Sequence, residues 1–352
     1  MREARGSRTG SAASVAVLTE SGAEVGYGHV IRVRALLDEM HMPAVVHCGG
    51  DAARFLSGRL CESAEDLDAV LNAAEQTVLI VDHADSRRWS SFVESPNVLV
   101  VAIDDTGGSA VRADVVVNGS GFHGYHHYPS VPANTIVRAG FDYVLLRREF
   151  RDLPSYEGSR QGVAIVAGSS SRVQEWVEQL IAHGVPSEWQ PVVFVVSPAF
   201  PEGAVSEALR NGVDIRRGLS ASELIAAIRS KRLCVTTAGM AMIEAFSVGV
   251  PVAAYPAQPN MVDECRYYHE RGWIVDFGTD ASVPERLVEM VRDVLGRPSL
   301  SEMGRTVHRC VDGRGAMRVA ALVEELAATF GRTHDKAHSL AAMAERHDVL
   351  QD

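Results

Sequence analysis

The sequence predicts an α/β protein made of two doubly wound, Rossmann-like domains in tandem. Three observations carry that expectation. Short apolar runs alternate with helical patterns along most of the 352 residues. The runs are almost continuous in Val, Ile, Leu and Ala, as strands of a parallel sheet covered on both faces must be. The alternation breaks at a polar connector, "RDLPSYEGSRQ" (151–161), and then restarts.

In the first series, "SVAVLT" (14–19) reads as a buried strand. A helix over 29–41 follows, with Val30, Val33, Leu37 and Met40 on one stripe. Strands are expected at 44–48, 77–82, 98–104 and 113–118, with a helix over 63–75 among them. Residues 119–140 are rich in Gly, Pro, His and Tyr and read as loop. In the second series, strands are expected at 162–168, 191–197, 213–218, 232–237, 251–255 and 273–278. Helices fall between them at 171–184, 202–211, 220–230, 240–248 and 261–271, then at 283–296, 299–310 and 315–330. The expected division is a disordered start (1–13), a first domain (14–150), the linker (151–161), a second domain (162–330) and a charged, Ala-rich tail (331–352).

Composition narrows the function. Asp and Glu outnumber Lys and Arg, 45 to 34, for a formal net charge of −11. That argues against a nucleic-acid or membrane-surface binder, whose partners need basic neutralisation. A small anion held by backbone amides is still compatible. Five cysteines lack metal-like CxxC spacing and read as reduced thiols, which with the absence of a secretory signal implies a cytoplasmic protein. No apolar run reaches the ~18 residues of a membrane span.

In doubly wound sheets, ligands sit at the carboxyl ends of strands, and two such domains suggest a ligand cleft between them. The first strand leads into "GYGH", where Gly26 and Gly28 permit tight turns and His29 opens a helix. The positive end of a helix dipole opposes protonation, so a neutral imidazole able to accept a proton is expected there. A histidine in that position can equally cap the helix or pack. "VDH" puts Asp82 and His83 at one strand end and "AIDD" puts Asp104 and Asp105 at the next. Such carboxylates can orient an imidazole or hold sugar hydroxyls; they can also simply form turns. Gly168, Ser169, Ser170 and Ser171 offer amides and hydroxyls to an anion, without the Lys of a P-loop. Gly239 and Met240 open another helix after a strand, with Glu244 one turn further along. "HGYHHY" (123–128) has no ligand spacing backed by an acid or Cys, so it reads as a loop lining and no metal is expected.

In order, "GYGHVIR", "VDH", "AIDD", "ADVVVN", "AGFDYVLLRREF" and "GMAMIEAFSVGVPV" resemble the UDP-sugar hydrolases of the pseudaminic-acid pathway and the spore-coat-polysaccharide-type glycosyltransferases around them. The likeness covers about residues 14–280. The second half also resembles the GT-B transferase that adds N-acetylglucosamine in peptidoglycan assembly. The resemblance implies a GT-B architecture, a UDP-sugar substrate held mainly by the second domain, and neither metal nor cofactor. It implies His29 as base and Glu244 as the ribose-binding acid. Asn260 is the match for the family's active-site asparagine, with Gln258 as rival. Asp82 and His83 join the catalytic set, and Gly218 and Leu219 the nucleotide loops. Gly26, Tyr27, Gly28, Arg32, Asp104, Asp105 and Gln258 are expected on the sugar or acceptor side. The chain departs from the family at "TES" (19–21), where Arg-x-Asp is usual, at Ala84 and at "AGSSS" (167–171). These departures point away from the pseudaminic precursor as the sugar.

The implied reaction is hydrolysis of a nucleotide sugar with inversion, His29 taking a proton from water. Inverting transfer to a small-molecule acceptor is the alternative on the same scaffold. A non-catalytic nucleotide-sugar binding protein is a third reading.

Overall fold

The computed structural model describes residues 12–22, 27–56, 61–63, 66–73, 75–83, 89–108, 110–168, 171–198, 200–210, 213–279 and 283–348. The chain divides into two compact units. The first is Met1–Leu145 with Ala316–Asp352, and the second is Leu146–Gly315.

The first unit holds β1 (Ser14–Ser21), α1 (Gly28–Glu39), β2 (Ala44–Gly50), β3 (Cys61–Ser63), α2 (Leu67–Ala73), β4 (Thr77–Asp82), β5 (Val98–Asp104), β6 (Val115–Asn118) and β7 (Ile136–Ala139). These strands form one parallel sheet in the order β3-β2-β1-β4-β5-β6-β7. Strand side chains alternate between faces, so the central strands β1, β4 and β5 feed two cores. Val15, Val17, Val78, Ile80, Leu99 and Val101 belong to one. Ala16, Leu18, Leu79, Val81, Val98 and Val100 belong to the other. The expected helix over 63–75 is shorter and follows a three-residue strand. The expected loop 119–140 also contains an edge strand, β7.

The first core is closed by α1 and by the end of the chain. Helix α10 (Gly315–Thr333) brings Val319, Val323, Leu326, Ala327 and Phe330 onto it, and α11 (Lys336–Asp348) adds Leu340 and Met343. Lys336 Nζ anchors α11 through Asp114 Oδ2 at 2.7 Å. Residues 316–330, expected in the second domain, therefore belong with the first. A periodic apolar stripe announces a helix but does not say which sheet it covers.

The second unit holds β8 (Val163–Gly168), α3 (Ser171–His183), β9 (Val193–Val196), α4 (Glu202–Arg210), β10 (Asp214–Arg217), α5 (Ala221–Ile228), β11 (Leu233–Thr237), α6 (Met240–Val248), β12 (Val252–Tyr255), α7 (Val262–Glu270), β13 (Val275–Asp276), α8 (Val283–Leu295) and α9 (Leu300–Cys310). Its parallel sheet runs β10-β9-β8-β11-β12-β13. Trp176, Trp189, Phe194, Val235 and Val291 lie within one buried cluster on it. Among the described residues, no helix is long and apolar enough to cross a membrane.

Phe330 is fully buried in the first unit's core. Phe330→Ala should lower the unfolding free energy by about 3–5 kcal/mol, the usual cost of a large aromatic cavity. Denaturant titration measures it, and a loss below about 1 kcal/mol, as for a surface change, would contradict this packing.

Candidate active site

In each sheet, neighbouring strands whose crossovers run in opposite directions leave a crevice at their carboxyl ends. In the first sheet that point lies between β1 and β4. Asp82 is the last residue of β4 and pairs in register with Thr19 of β1. His29 is the second residue of α1, which follows β1. The topology thus delivers both to the switch point.

Asp82 is completely buried. Its Oδ1 accepts a hydrogen bond from His29 Nδ1 at 2.5 Å. Arg32, one turn along α1, grips the same carboxylate twice: Nε to Oδ2 at 2.5 Å and Nη2 to Oδ1 at 2.6 Å. Arg32 Nη1 reaches on to Asp105 Oδ1. Carboxylates only accept, so the His29 proton shared with Asp82 sits on Nδ1. Among the described residues, His29 Nε2 has no hydrogen-bond partner and is the nitrogen available to a reacting group.

The electrostatics follow from this arrangement. Burial alone would raise the Asp82 carboxyl, but the Arg32 and His29 charges and hydrogen bonds outweigh it and hold Asp82 at about 2. Burial pulls the His29 imidazole down, as does Arg32. The Asp82 charge and hydrogen bond, aided by Asp105, more than reverse this and leave His29 above its ordinary value. The helix N-terminus was expected to favour neutral His29. The buried carboxylate is nearer and stronger, so the shift has the opposite sign. With Arg32 between two carboxylates, the cluster carries one net negative charge while His29 is neutral, and a proton on His29 cancels it.

Arg32 was expected among sugar-binding residues. Its guanidinium is instead buried and directed at Asp82 and Asp105, so it positions the pair. Asp104 is also engaged within the unit. Its Oδ2 accepts from the Gly107 amide at 2.6 Å and from Tyr128 Oη at 2.9 Å. Burial outweighs these bonds and raises its carboxyl. Asn118 Nδ2 donates to Tyr128 Oη at 2.8 Å, completing the network that secures the His/Tyr-rich loop. His83 Nδ1 lies 3.3 Å from Glu20 Oε1. Glu20 is part of the "TES" departure, and its spacing along β1 gives no sign of this partner. Tyr27 packs on Phe55 with ring centroids 4.8 Å apart. Gly28 begins α1 and has open space where a Cβ would stand. Gly26 lies outside the described residues. His126 Nε2 donates to Ser120 O at 2.8 Å. Among the described residues, no group of three His, Cys, Asp or Glu is arranged to hold a metal ion.

In the second unit the switch point lies between β8 and β11. Gly168 ends β8 and Ser171 begins α3, while Ser169 and Ser170 lie outside the described residues. Gly239 caps the start of α6 without a side-chain hydrogen bond. The Met240 and Ala241 amides therefore have no partner within the helix, while Met242 N–H turns back to Gly239 O at 2.9 Å. Gly168 and Gly239 thus share the carboxyl end of this sheet. Gly218 turns with φ +63°, and Leu219 leads to α5, which Ser220 and Glu223 cap reciprocally. Asn260 lies on an exposed 3-10 turn (Pro259–Met261), with Gln258 at its N-cap.

Glu244 is buried on α6, where Arg147 Nη2 donates to its Oε1 at 2.7 Å. Burial raises the Glu244 carboxyl and Arg147 opposes that rise. Arg147 lies within "AGFDYVLLRREF", where nothing in the local spacing signals this partner. Here that motif is structural: Leu145, Leu146 and Phe150 are buried and Arg147 holds Glu244.

The chain has GT-B architecture. It matches the glycosyltransferase of kitacinnamycin with a TM-score of 0.57 at 14% identity, over 89% of this chain and 98% of that one. It also matches UDP-GlcNAc 2-epimerase from Neisseria meningitidis, bound to UDP-GlcNAc, with a TM-score of 0.53 at 10% identity, over 88% and 99%. In sequence it is similar to the spore coat polysaccharide biosynthesis protein SpsG of Bacillus subtilis (strain 168). The two are 20% identical over 336 residues, 89% of this chain and 98% of that protein. No family model matches the chain.

The charge cluster predicts two opposite shifts. Asp82→Asn removes the negative partner and should lower the His29 pKa. Arg32→Met removes a cation and should raise it. NMR titration of the His29 ring checks both, and shifts of the same sign would contradict the cluster.

Proposed function

We propose that the protein transfers a sugar from a nucleoside-diphosphate donor, with inversion at the anomeric carbon. His29 is the general base. The observation that carries the reading is its Nδ1 on buried Asp82, which leaves Nε2 as the proton acceptor. This has the geometry of a base held in one tautomer and stabilised as it becomes imidazolium. The second unit holds the nucleotide: amides at Gly239–Met240 and in the 168–171 loop meet the diphosphate and stabilise charge on it as it leaves. Glu244, fixed by Arg147, accepts from the ribose. Uridine is the base of choice, since a fold neighbour carries UDP-GlcNAc. Asn260 orients the sugar or the nucleophile.

In the step itself, an acceptor hydroxyl gives its proton to Nε2 as its oxygen attacks the anomeric carbon. The bond from that carbon to the diphosphate oxygen breaks on the opposite face, and the nucleoside diphosphate leaves. An acceptor other than water is favoured by two things. The SpsG relative is named for polysaccharide biosynthesis. At the end of β1, "TES" (19–21) also stands where the hydrolase family usually has Arg-x-Asp, and its Glu20 faces His83. Hydrolysis is the second reading, supported by the "GYGHVIR" loop, which resembles those hydrolases.

A screen of sugar nucleotides for diphosphate release, with and without acceptors, identifies the donor. His29→Ala should then lose about 10²–10⁴ in rate with the fold intact. Near-wild-type turnover would remove His29 as base. In ¹⁸O-water, transfer predicts no labelled free sugar and no release without acceptor. Labelled free sugar formed at the full rate assigns hydrolysis instead.

A further inference from the structure

A cavity lies at the other end of the second unit's sheet. It has a volume of about 720 Å³ and is lined by Arg160, Arg232, Arg297 and Arg305, with His308 and one acid, Glu157. Arg232 directly precedes β11, and the lining residue Pro251 directly precedes β12. The cavity therefore lies at the amino ends of these strands, whereas Gly239 follows the carboxyl end of β11. It is separate from the loops assigned to the nucleotide.

Its charge is unusual for a chain with a net charge of −11. Arg305 is ion-paired to Glu302 at 2.7 Å. Among the described residues, Arg160, Arg232 and Arg297 have no carboxylate within ion-pair distance. Two are held by carbonyl oxygens: Arg160 Nη1 donates to Arg229 O at 2.6 Å and Arg232 Nη2 to Leu295 O at 2.8 Å. Both bonds fix a guanidinium without neutralising it. Arg160 also stacks on Tyr156, 5.0 Å from the ring centroid, with Arg229 over the same ring at 5.7 Å. Burial, with Arg229 nearby, lowers the Arg160 pKa, although Tyr156 opposes this. The carbonyl end of α6 meets the same cavity at Gly249, and it would repel an anion. There, Ser247 O is already taken by His308 Nδ1 at 2.8 Å and the Gly249 amide turns back to Phe246 O.

Fixed guanidinium groups recognise phosphate oxygens through paired donors, and the volume is that of a small-molecule pocket. We propose that this cavity binds a phosphorylated small molecule carrying at least two negative charges, at a site distinct from the sugar-nucleotide loops.

The test uses the full chain with inorganic pyrophosphate as probe and hydrogen-exchange mass spectrometry as a readout that reports location. Pyrophosphate should slow exchange in 155–160 and 295–308. Arg160→Gln with Arg297→Gln should abolish that protection and weaken the corresponding calorimetric affinity at least ~10-fold, as expected for lost charged hydrogen bonds. Arg297→Glu alone, at an exposed side chain, should do likewise if the double variant is unstable. Protection confined to the 168–171 and 239–244 segments would overturn the proposal, as would unchanged protection in the variants. Protection here by citrate but not by pyrophosphate would overturn the assignment to phosphate.

Discussion

The candidate site of the first unit depends on one buried charge. Asp82 ends a strand with no exposed surface, and an isolated carboxylate there would cost several kcal/mol. Arg32 offsets that cost with two hydrogen bonds and remains charged because Asp82 and Asp105 both face it. Once Asp82 is held ionised, it fixes His29 through Nδ1 and raises its basicity. A raised pKa has two consequences: Nε2 becomes a stronger base, and a smaller fraction is neutral at pH 7. The neutral form grows as pH rises through the folded-state value, so the base catalysis proposed for His29 would strengthen in that direction. Linkage has the opposite sense, since the stabilisation from binding this proton is lost over the same rise.

Under the proposed function the second unit meets a different problem, holding an anion with few formal charges at the carboxyl ends of its strands. Its sheet brings Gly168 and Gly239 to the same switch point, and helix starts offer amides there. Glu244 would be unfavourable in that buried position without Arg147. The motif that supplies Arg147 thus reaches α6 from outside both glycine-containing loops. The arginines at the amino ends of β11 and β12 form a separate basic region, so the overall acidity of the chain conceals a local reversal of sign.

Much of this architecture was legible because buried parallel strands leave continuous apolar runs. Strands β4 and β5 and helix α6 fall on the expected boundaries. The edge strands β3 and β7 did not announce themselves: one spans three residues, and the other buries only Ile136 fully. The positions of His29, Asp82, Gly168 and Gly239 at or after the ends of strands were readable from the sequence. The burial of Arg32 was not, since an arginine on a helix looks solvated until the carboxylates facing it are known. The same holds for Arg147 with Glu244 and for Glu20 with His83. Sequence spacing along one element does not reveal a partner delivered by another. The affiliation of α10 was hidden for the same reason.

The most direct measurement of the central claim is the pH dependence of kcat/KM for the sugar nucleotide that the protein turns over. If Asp82 poises His29 as the base, the wild-type profile rises through an acid limb above 6.5, the ordinary histidine value. In Asp82→Asn that limb moves to lower pH while the plateau falls. A limb at the same pH in both proteins would contradict the account, because the titrating base would then not be the imidazole held by Asp82.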